Sequence, residues 1–473
     1  MNSSRIVRIL AATALGTAMT AAAADWPMWG GRPDRNMVSD ETGIPRTWDV
    51  DAKTNVKWVS EIGSQSYGNP VVADGKVFLG TNNERLRNPK LTGDRGVVMA
   101  FSEADGEFLW QMTHKKLESG RVNDWPEQGV CSSPAVVDGV VYYVSNRAEI
   151  VAVDAEGFRD GENDGPFTDE EDSSEIDGDV IWKLDMYDEL GVFPHNMAAT
   201  SPVIVGDTLF VNTSNGVDES HLNIPSPRSP SFLAVNRKTG EIVWEDNSPG
   251  EDILHGQWAS PAYGEIGGVA QVIFAGGDGW LRGFNPENGD ILWEFDANPK
   301  GSEWKQGRGD RNNIIATPVI FENKAFVAVG QDPEHGEGVG HLWAVDATKR
   351  GDISESGKVW HHPFRRTISS VAIKDGIVYA ANFSGFFQAL DLKTGEELWE
   401  YDMLAAVWGS PYVVDGKVML GDEDGDLTVL KTGRVKEVLS EVSFGNTLYS
   451  TPVAANGVLY VMTRSHLYAI AGK

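Results

Sequence analysis

TISSVAIKDGIVYAANFSGFFQALDLKTGEELW, residues Thr367–Trp399, decides how the chain is read. It breaks into four short runs. SSVAI stops at Lys374-Asp375-Gly376, IVYAAN at Ser384-Gly385 and FFQALDL at Lys393-Thr394-Gly395, and EELWEYD completes the unit. Each run alternates or is wholly apolar, as strands of a buried sheet do. Each break carries Gly, Asp or Asn, which tolerate the backbone of tight turns. Four antiparallel strands joined by short turns are expected.

The same phrase recurs along the chain. An inner strand tends to start after Ser/Thr/Asn-Pro, at Pro70, Pro134, Pro202, Pro261, Pro318, Pro411 and Pro452, with Ser370 in place of Pro in the sixth unit. The shortest spacing between units is 41 residues. A four-stranded repeat of roughly that period is a propeller blade. The outer run usually carries Trp, at Trp110, Trp182, Trp244, Trp293, Trp360 and Trp399; the seventh unit lacks it, with Val438 and Leu439 nearby. Their regular place after Thr-Gly-Glu turns predicts packing between blades rather than ligand binding. The eighth unit ends at HLYAIAGK, its third strand, while a spare Trp-bearing run, NVKWVSEI, surrounds Trp58. The prediction is an all-β, eight-bladed β-propeller of four-stranded antiparallel blades, closed by that N-terminal outer strand.

The chain has 473 residues, 41% of them hydrophobic, and a formal charge of −29. That charge argues against nucleic acid as partner, which asks for a basic footprint. The N-terminus reads as a secretory signal. Arg5 and Arg8 precede an apolar run from Ile9 to Met19, too short to span a membrane, and Ala22-Ala23-Ala24 offers a cleavage site. The expected division is 1–24 signal, 25–57 an irregular Trp/Pro/Gly-rich lead-in, and 58–473 propeller. A monomer in the periplasm or outside the cell is expected. Cys131 is the single cysteine, so no internal disulfide staples the fold.

Strand alternation sorts the insertions. Loops 81–96, 215–230 and 331–340 join second to third strands, and 111–130, 186–199 and 297–314 lead into the next blade. All six should crowd one face, while 155–179, joining a third strand to a fourth, should emerge on the other. The segments just before the inner strands should converge on the channel mouth of the crowded face. They offer Tyr67, Gln128, His195, Asn196, His255, Gln257, Trp258, Arg311, Asn312, Arg366, Trp408 and Tyr449. A concave site lined by aromatics with a few polar groups is the usual small-molecule or partner site, and two Arg would suit a carboxylate. The same residues could instead plug the channel. His195 and His255 hold comparable places in blades three and four, but no third metal ligand stands at fixed spacing. In the 155–179 insertion, Asp160, Glu162, Asp164, Gly165 and Glu171 match positions 1, 3, 5, 6 and 12 of a calcium loop. A solvated acidic loop is the other reading. If Ca²⁺ binds there, it should be structural, away from the crowded face.

SSPAVVDGVVYYVSN, FLAVNRKTGEIVW and FFQALDLKTGEELW resemble the pyrroloquinoline-quinone (PQQ) type propeller repeat of quinoprotein alcohol dehydrogenases and of the assembly lipoprotein BamB. DWPMWGG…TGIPRTW resembles secreted PQQ-like repeat proteins of planctomycete-type bacteria. The resemblance implies the fold over nearly all of 25–473. It leaves two functions open: a non-catalytic binding or scaffold protein, which is the expectation here, or a PQQ-dependent oxidoreductase with a divergent site. The vicinal Cys pair that the resemblance implies for the dehydrogenases cannot form from Cys131 alone, and the lipid-bearing Cys of the BamB group is absent.

Overall fold

The computed structural model describes residues 24–306, 308–333 and 338–472. The expected signal lies outside the described residues except for Ala24. Strands dominate; the described helices are two single 3₁₀ turns, Gly157–Asp160 and Gly250–Asp252. Eight sheets form, each with four antiparallel strands, which in blades one to seven run in chain order from the inner to the outer edge. Blade one is Val71–Ala73, Lys76–Asn82, Arg95–Ser102 and Phe108–Lys115. Blade eight takes Val453–Ala455, Val458–Met462 and His466–Ile470 from the C-terminus and Val56–Glu61 from the N-terminal side. Trp58 there pairs with Ala469, as ring closure requires. Two short extra strands extend blades four and seven in parallel pairings.

The outer Trp residues explain how blades stack. Trp110, Trp182, Trp244, Trp360, Trp399 and Trp58 each face Ala on the third strand, and Trp293 faces Gly283. A small residue opposite leaves room for the indole. Trp58, Trp110, Trp182, Trp244, Trp360 and Trp399 then donate Nε1–H to a carbonyl of the following blade, at 2.9–3.1 Å. Gly106, Gly240, Gly289 and Gly395 lie beneath these rings at positive φ; a Cβ there would meet the indole at 2.6–2.9 Å. In blade seven Val429 and Ser440 occupy the paired positions, and Ser440 hydrogen-bonds the Arg46 carbonyl of the lead-in.

Two rings of contacts close the central channel. At the mouth end the residue before each inner-strand Pro bonds the next blade. Backbone N–H groups of Asn69, Ser133, Ser201 and Ser260 donate to Ser133, Ser201, Ser260 and Thr317 side-chain oxygens at 2.8–3.0 Å. Ser370 Oγ donates to the Thr317 carbonyl, and the N–H groups of Ser370, Ser410 and Thr451 reach Ser410, Thr451 and Asn69. The belt therefore runs through all eight blades. It corrects the alignment of blade six: Ser370 holds the Ser/Thr place, and Val371 stands where the other blades have Pro.

Deeper in the channel the lead-in supplies the second ring. The inner edge of each inner strand has no strand partner, and buried N–H groups must be satisfied. Trp26 exchanges two hydrogen bonds with Val72 of blade one, and Pro27 accepts from Val136 of blade two. Pro33, Asp34 and Met37 accept from Tyr263, Ile320 and Val413 of blades four, five and seven. Asn36 clamps both backbone groups of Ile373 in blade six. Glu41 accepts from Asn456 and Gly457 in blade eight. Arg35, fully buried, bonds the Pro261, Ser201 and Trp29 carbonyls, which brings in blade three. Burial pushes its guanidinium down to about 9, so it stays charged at neutral pH. The irregular lead-in is thus a plug that touches every blade.

The 155–179 insertion leaves from the expected face but does not stay there. Its return limb runs up the outer edge of blade one, where Gln111 exchanges backbone hydrogen bonds with Ile176 and Gly178. Glu171 then reaches Arg95 and Lys115 at the other end of that blade.

Candidate functional site

A cavity of about 440 Å³ opens at the mouth end, with Trp29 of the plug in its wall. Tyr67 and Tyr449 stack in parallel, centroids 4.6 Å apart, and Trp408 meets both edge-on at 5.7 and 5.2 Å. Trp408 Nε1 is held by Glu423 at 2.5 Å. Trp125 and Trp258 complete the aromatic lining, and Trp258 Nε1 donates to the His195 and Met197 carbonyls. Asn69, Gln128, Asn196 and Asp332 are among its polar groups, and Asp332 is the only acidic or basic side chain among the described lining residues. Burial raises the Tyr67 and Tyr449 phenols and pushes the Cys131 thiol up to about 12, so all three are neutral at pH 7. A neutral thiol is a poor nucleophile.

The residues expected at the mouth divide. Tyr67, Gln128, Asn196, Trp258, Trp408 and Tyr449 line the cavity. Gln257 instead holds the Asn215 carbonyl, Ser231 and Gly277, and Asn312 pairs with Asn298. Arg311 is engaged by Asp296 and the Asp278 carbonyl. Arg366 donates to Pro333 and lies over Phe383. Neither arginine lines the cavity, so the expected carboxylate clamp does not assemble. Trp29, Trp125 and Asp332 were missed because they come from the lead-in and from long loops, outside the repeat alignment.

His195 and His255 come together, with centroids 4.4 Å apart, and His221 from the 215–230 loop joins them at 4.7 Å from each. One ligand atom from each of the three lies within 4.8 Å of the others. Burial and the neighbouring imidazoles push His195 down to about 3, which keeps it neutral.

On the far face Asp160 and Asp164 gather with Asp154, not with Glu171, their carboxylate oxygens within 4.8 Å. Glu171 is committed to Arg95 at 2.8 and 3.0 Å. Asp160 Oδ1 accepts the Glu162 N–H in a local turn. Asp179, fully buried, accepts the Asp164 N–H through Oδ2 at 2.6 Å, while its Oδ1 has no hydrogen-bond partner. The loop folds as an acidic cluster of different membership from the one its spacing suggested.

A family model described as outer membrane protein assembly factor BamB matches residues 94–159, 173–350 and 339–472. The chain belongs to this family. BamB of Yersinia pestis is 23% identical over 60% of this chain and 64% of its own length. Tetrathionate hydrolase of Acidithiobacillus ferrooxidans is 24% identical over 72% of this chain, and again 64% of its own length is covered. Quinoprotein ethanol dehydrogenase of Pseudomonas putida is 27% identical over 28% of this chain and 18% of its own. The chain thus spans less than two thirds of these relatives. The crystal structure of BamB from Moraxella catarrhalis superimposes with a TM-score of 0.53 at 16% identity, covering 88% of this chain and 98% of that one, which shows the shared propeller. Membership in the BamB family does not choose between binding and redox chemistry, because propeller repeats serve both.

Proposed function

We propose that this propeller is an exported recognition protein, not a redox enzyme, and that it takes a flat, neutral or cationic group into the mouth cavity. The carrying observation is the lining: six aromatic side chains with Asp332 as the only acid and no base among the described residues. Aromatic faces attract cations and flat apolar groups. The same lining disfavours PQQ, whose carboxylates need cationic partners. Arg311 and Arg366 are committed elsewhere, so the donor set does not fit that cofactor. The group offered to the cavity belongs to a small molecule or to a side chain of a protein partner. Long loops around the mouth supply a rim suited to either. Among the described residues no helix is long and apolar enough to cross a membrane.

Calcium belongs to the other face in this reading. Asp154, Asp160 and Asp164 would ligate it, and the unpartnered Oδ1 of buried Asp179 marks charge that a cation would balance. Its role there is to brace the insertion.

Calorimetry with phenethylamine and phenylacetate, which share a ring and differ in charge, tests the cavity. The amine should bind about tenfold tighter or better, a difference of about 1.4 kcal/mol. Trp408→Ala should weaken it by about tenfold without unfolding the protein. Saturable PQQ binding near one per chain with Ca²⁺, together with reduction of an artificial electron acceptor, would reverse the assignment.

A further inference from the structure

We infer that His195, His221 and His255 form a binding site for one late first-row divalent metal ion, such as Zn²⁺, beside the cavity. The three side chains come from separate segments: the loop entering blade three, the second-to-third loop of blade three, and the loop entering blade four. Three imidazoles do not meet by local sequence pattern. The fold has to bring them within 4.8 Å.

The surroundings of the rings match what a metal-bound imidazole requires. Such a ring usually donates its other N–H to a carbonyl or carboxylate, which fixes the tautomer and turns the free nitrogen to the ion. His195 Nδ1 lies 2.8 Å from the Val217 carbonyl, so it carries the proton. Its Nε2 is left buried and without a hydrogen-bond partner. His255 Nδ1 lies 3.1 Å from Asp332 Oδ2, the carboxylate form of the same arrangement. A buried polar atom without a partner is costly, and a metal ion would satisfy His195 Nε2 directly. His221 holds φ +58°, an unfavourable backbone region for a side-chain-bearing residue, in a loop cinched by Asp218 to Ser220 and Asn223.

The donor set selects the ion. Neutral imidazole nitrogens suit Zn²⁺, Cu²⁺ and Ni²⁺, while Ca²⁺ and Mg²⁺ want oxygen. Three protein ligands leave a coordination position for water or an exogenous ligand. The site also abuts the cavity. Asp332 and Trp258 line that cavity, and the Trp258 ring lies 6.1 and 5.4 Å from the His195 and His255 rings. Metal binding would therefore stiffen one cavity wall, and a paramagnetic ion should quench Trp258.

The test uses the full mature chain without a polyhistidine tag, stripped of metal and titrated with Zn²⁺ by calorimetry. About one ion per chain should bind. His221→Ala, on the half-buried loop residue, should fold normally and weaken binding at least 100-fold. Asp332→Asn should weaken it roughly 10- to 100-fold. His361→Ala, in the separate His341–His361 pair of blade five, should change it less than twofold. Cu²⁺ should quench emission in the wild type and much less in Trp258→Phe. Absence of stoichiometric Zn²⁺ binding, or a His221→Ala affinity within twofold of wild type, would overturn the site. So would loss of binding in His361→Ala.

Discussion

At its deep end the channel meets the lead-in; at its mouth it meets a hydroxyl belt and then open space. The same eight inner strands serve both ends. Deep in the channel, backbone groups of the inner strands are paired with Trp26, Pro27, Pro33 to Met37 and Glu41. At the mouth the belt satisfies the backbone with short side chains, Ser, Thr and Asn, which take little space. The larger side chains beyond it are then free to form a cavity. Structural closure by backbone pairing and a site built from side chains are thus separated along one axis.

Arg35→Met should produce the largest effect and tests the deep end directly. It removes the donor to three carbonyls, two of them on blades three and four, and leaves them buried. Unsatisfied groups of that kind cost about 1–3 kcal/mol each, so a loss of about 3–5 kcal/mol is expected in denaturant melts. A loss below about 1 kcal/mol would mean that the plug does not hold the ring.

The mouth end buries charge too, as the deep end does through Arg35 and Glu41. Glu149 accepts from Ser145 at 2.9 Å and lies 3.1 Å from His114 and 3.2 Å from Lys183. Although burial opposes ionisation, these partners together hold its carboxyl well below the usual range. A depressed carboxylate stabilises the fold above its unfolded pKa, and that stability is lost as pH falls through the acid range. Stability should therefore fall progressively from about pH 5 downward, on through the depressed titration of the folded carboxyl, and Glu149→Gln should flatten the drop while costing about 2–3 kcal/mol at pH 7. An unchanged acid limb in the variant would remove Glu149 from the account.

The smallest expected effect lies on the far face. Ca²⁺ should raise the melting temperature of the wild type by a few degrees, as binding to the native state alone does. Asp160→Ala with Asp164→Ala should abolish the rise. If the wild type shows none, the acidic cluster is a solvated loop and calcium has no part in the structure.

Blade number, strand order and the closing role of Trp58 could be read from the sequence because they repeat. Seven of the eight blades carry the outer Trp after similar turn chemistry, and neighbouring copies confirm one another. Cavity residues within the repeat, such as Trp258, Trp408 and Tyr449, were legible for the same reason. Arg311 and Arg366 misled because a residue's position near the mouth does not reveal its partner. Asp296 and the Pro333 carbonyl engage them first. Glu171 misled because the spacing of a calcium loop says nothing about Arg95, which lies 76 residues away in sequence and takes the carboxylate.

The sequence by itself determined the repeat, the eight blades and the circular closure, since strand period and turn chemistry act over a few residues. Only the tertiary structure decided that the lead-in fills the channel, that His221 joins His195 and His255, and that the cavity lacks a base among its described lining residues. Those outcomes depend on contacts between segments far apart in the chain. They are set by unpaired inner-strand edges and buried charges finding partners, and no local pattern encodes that competition.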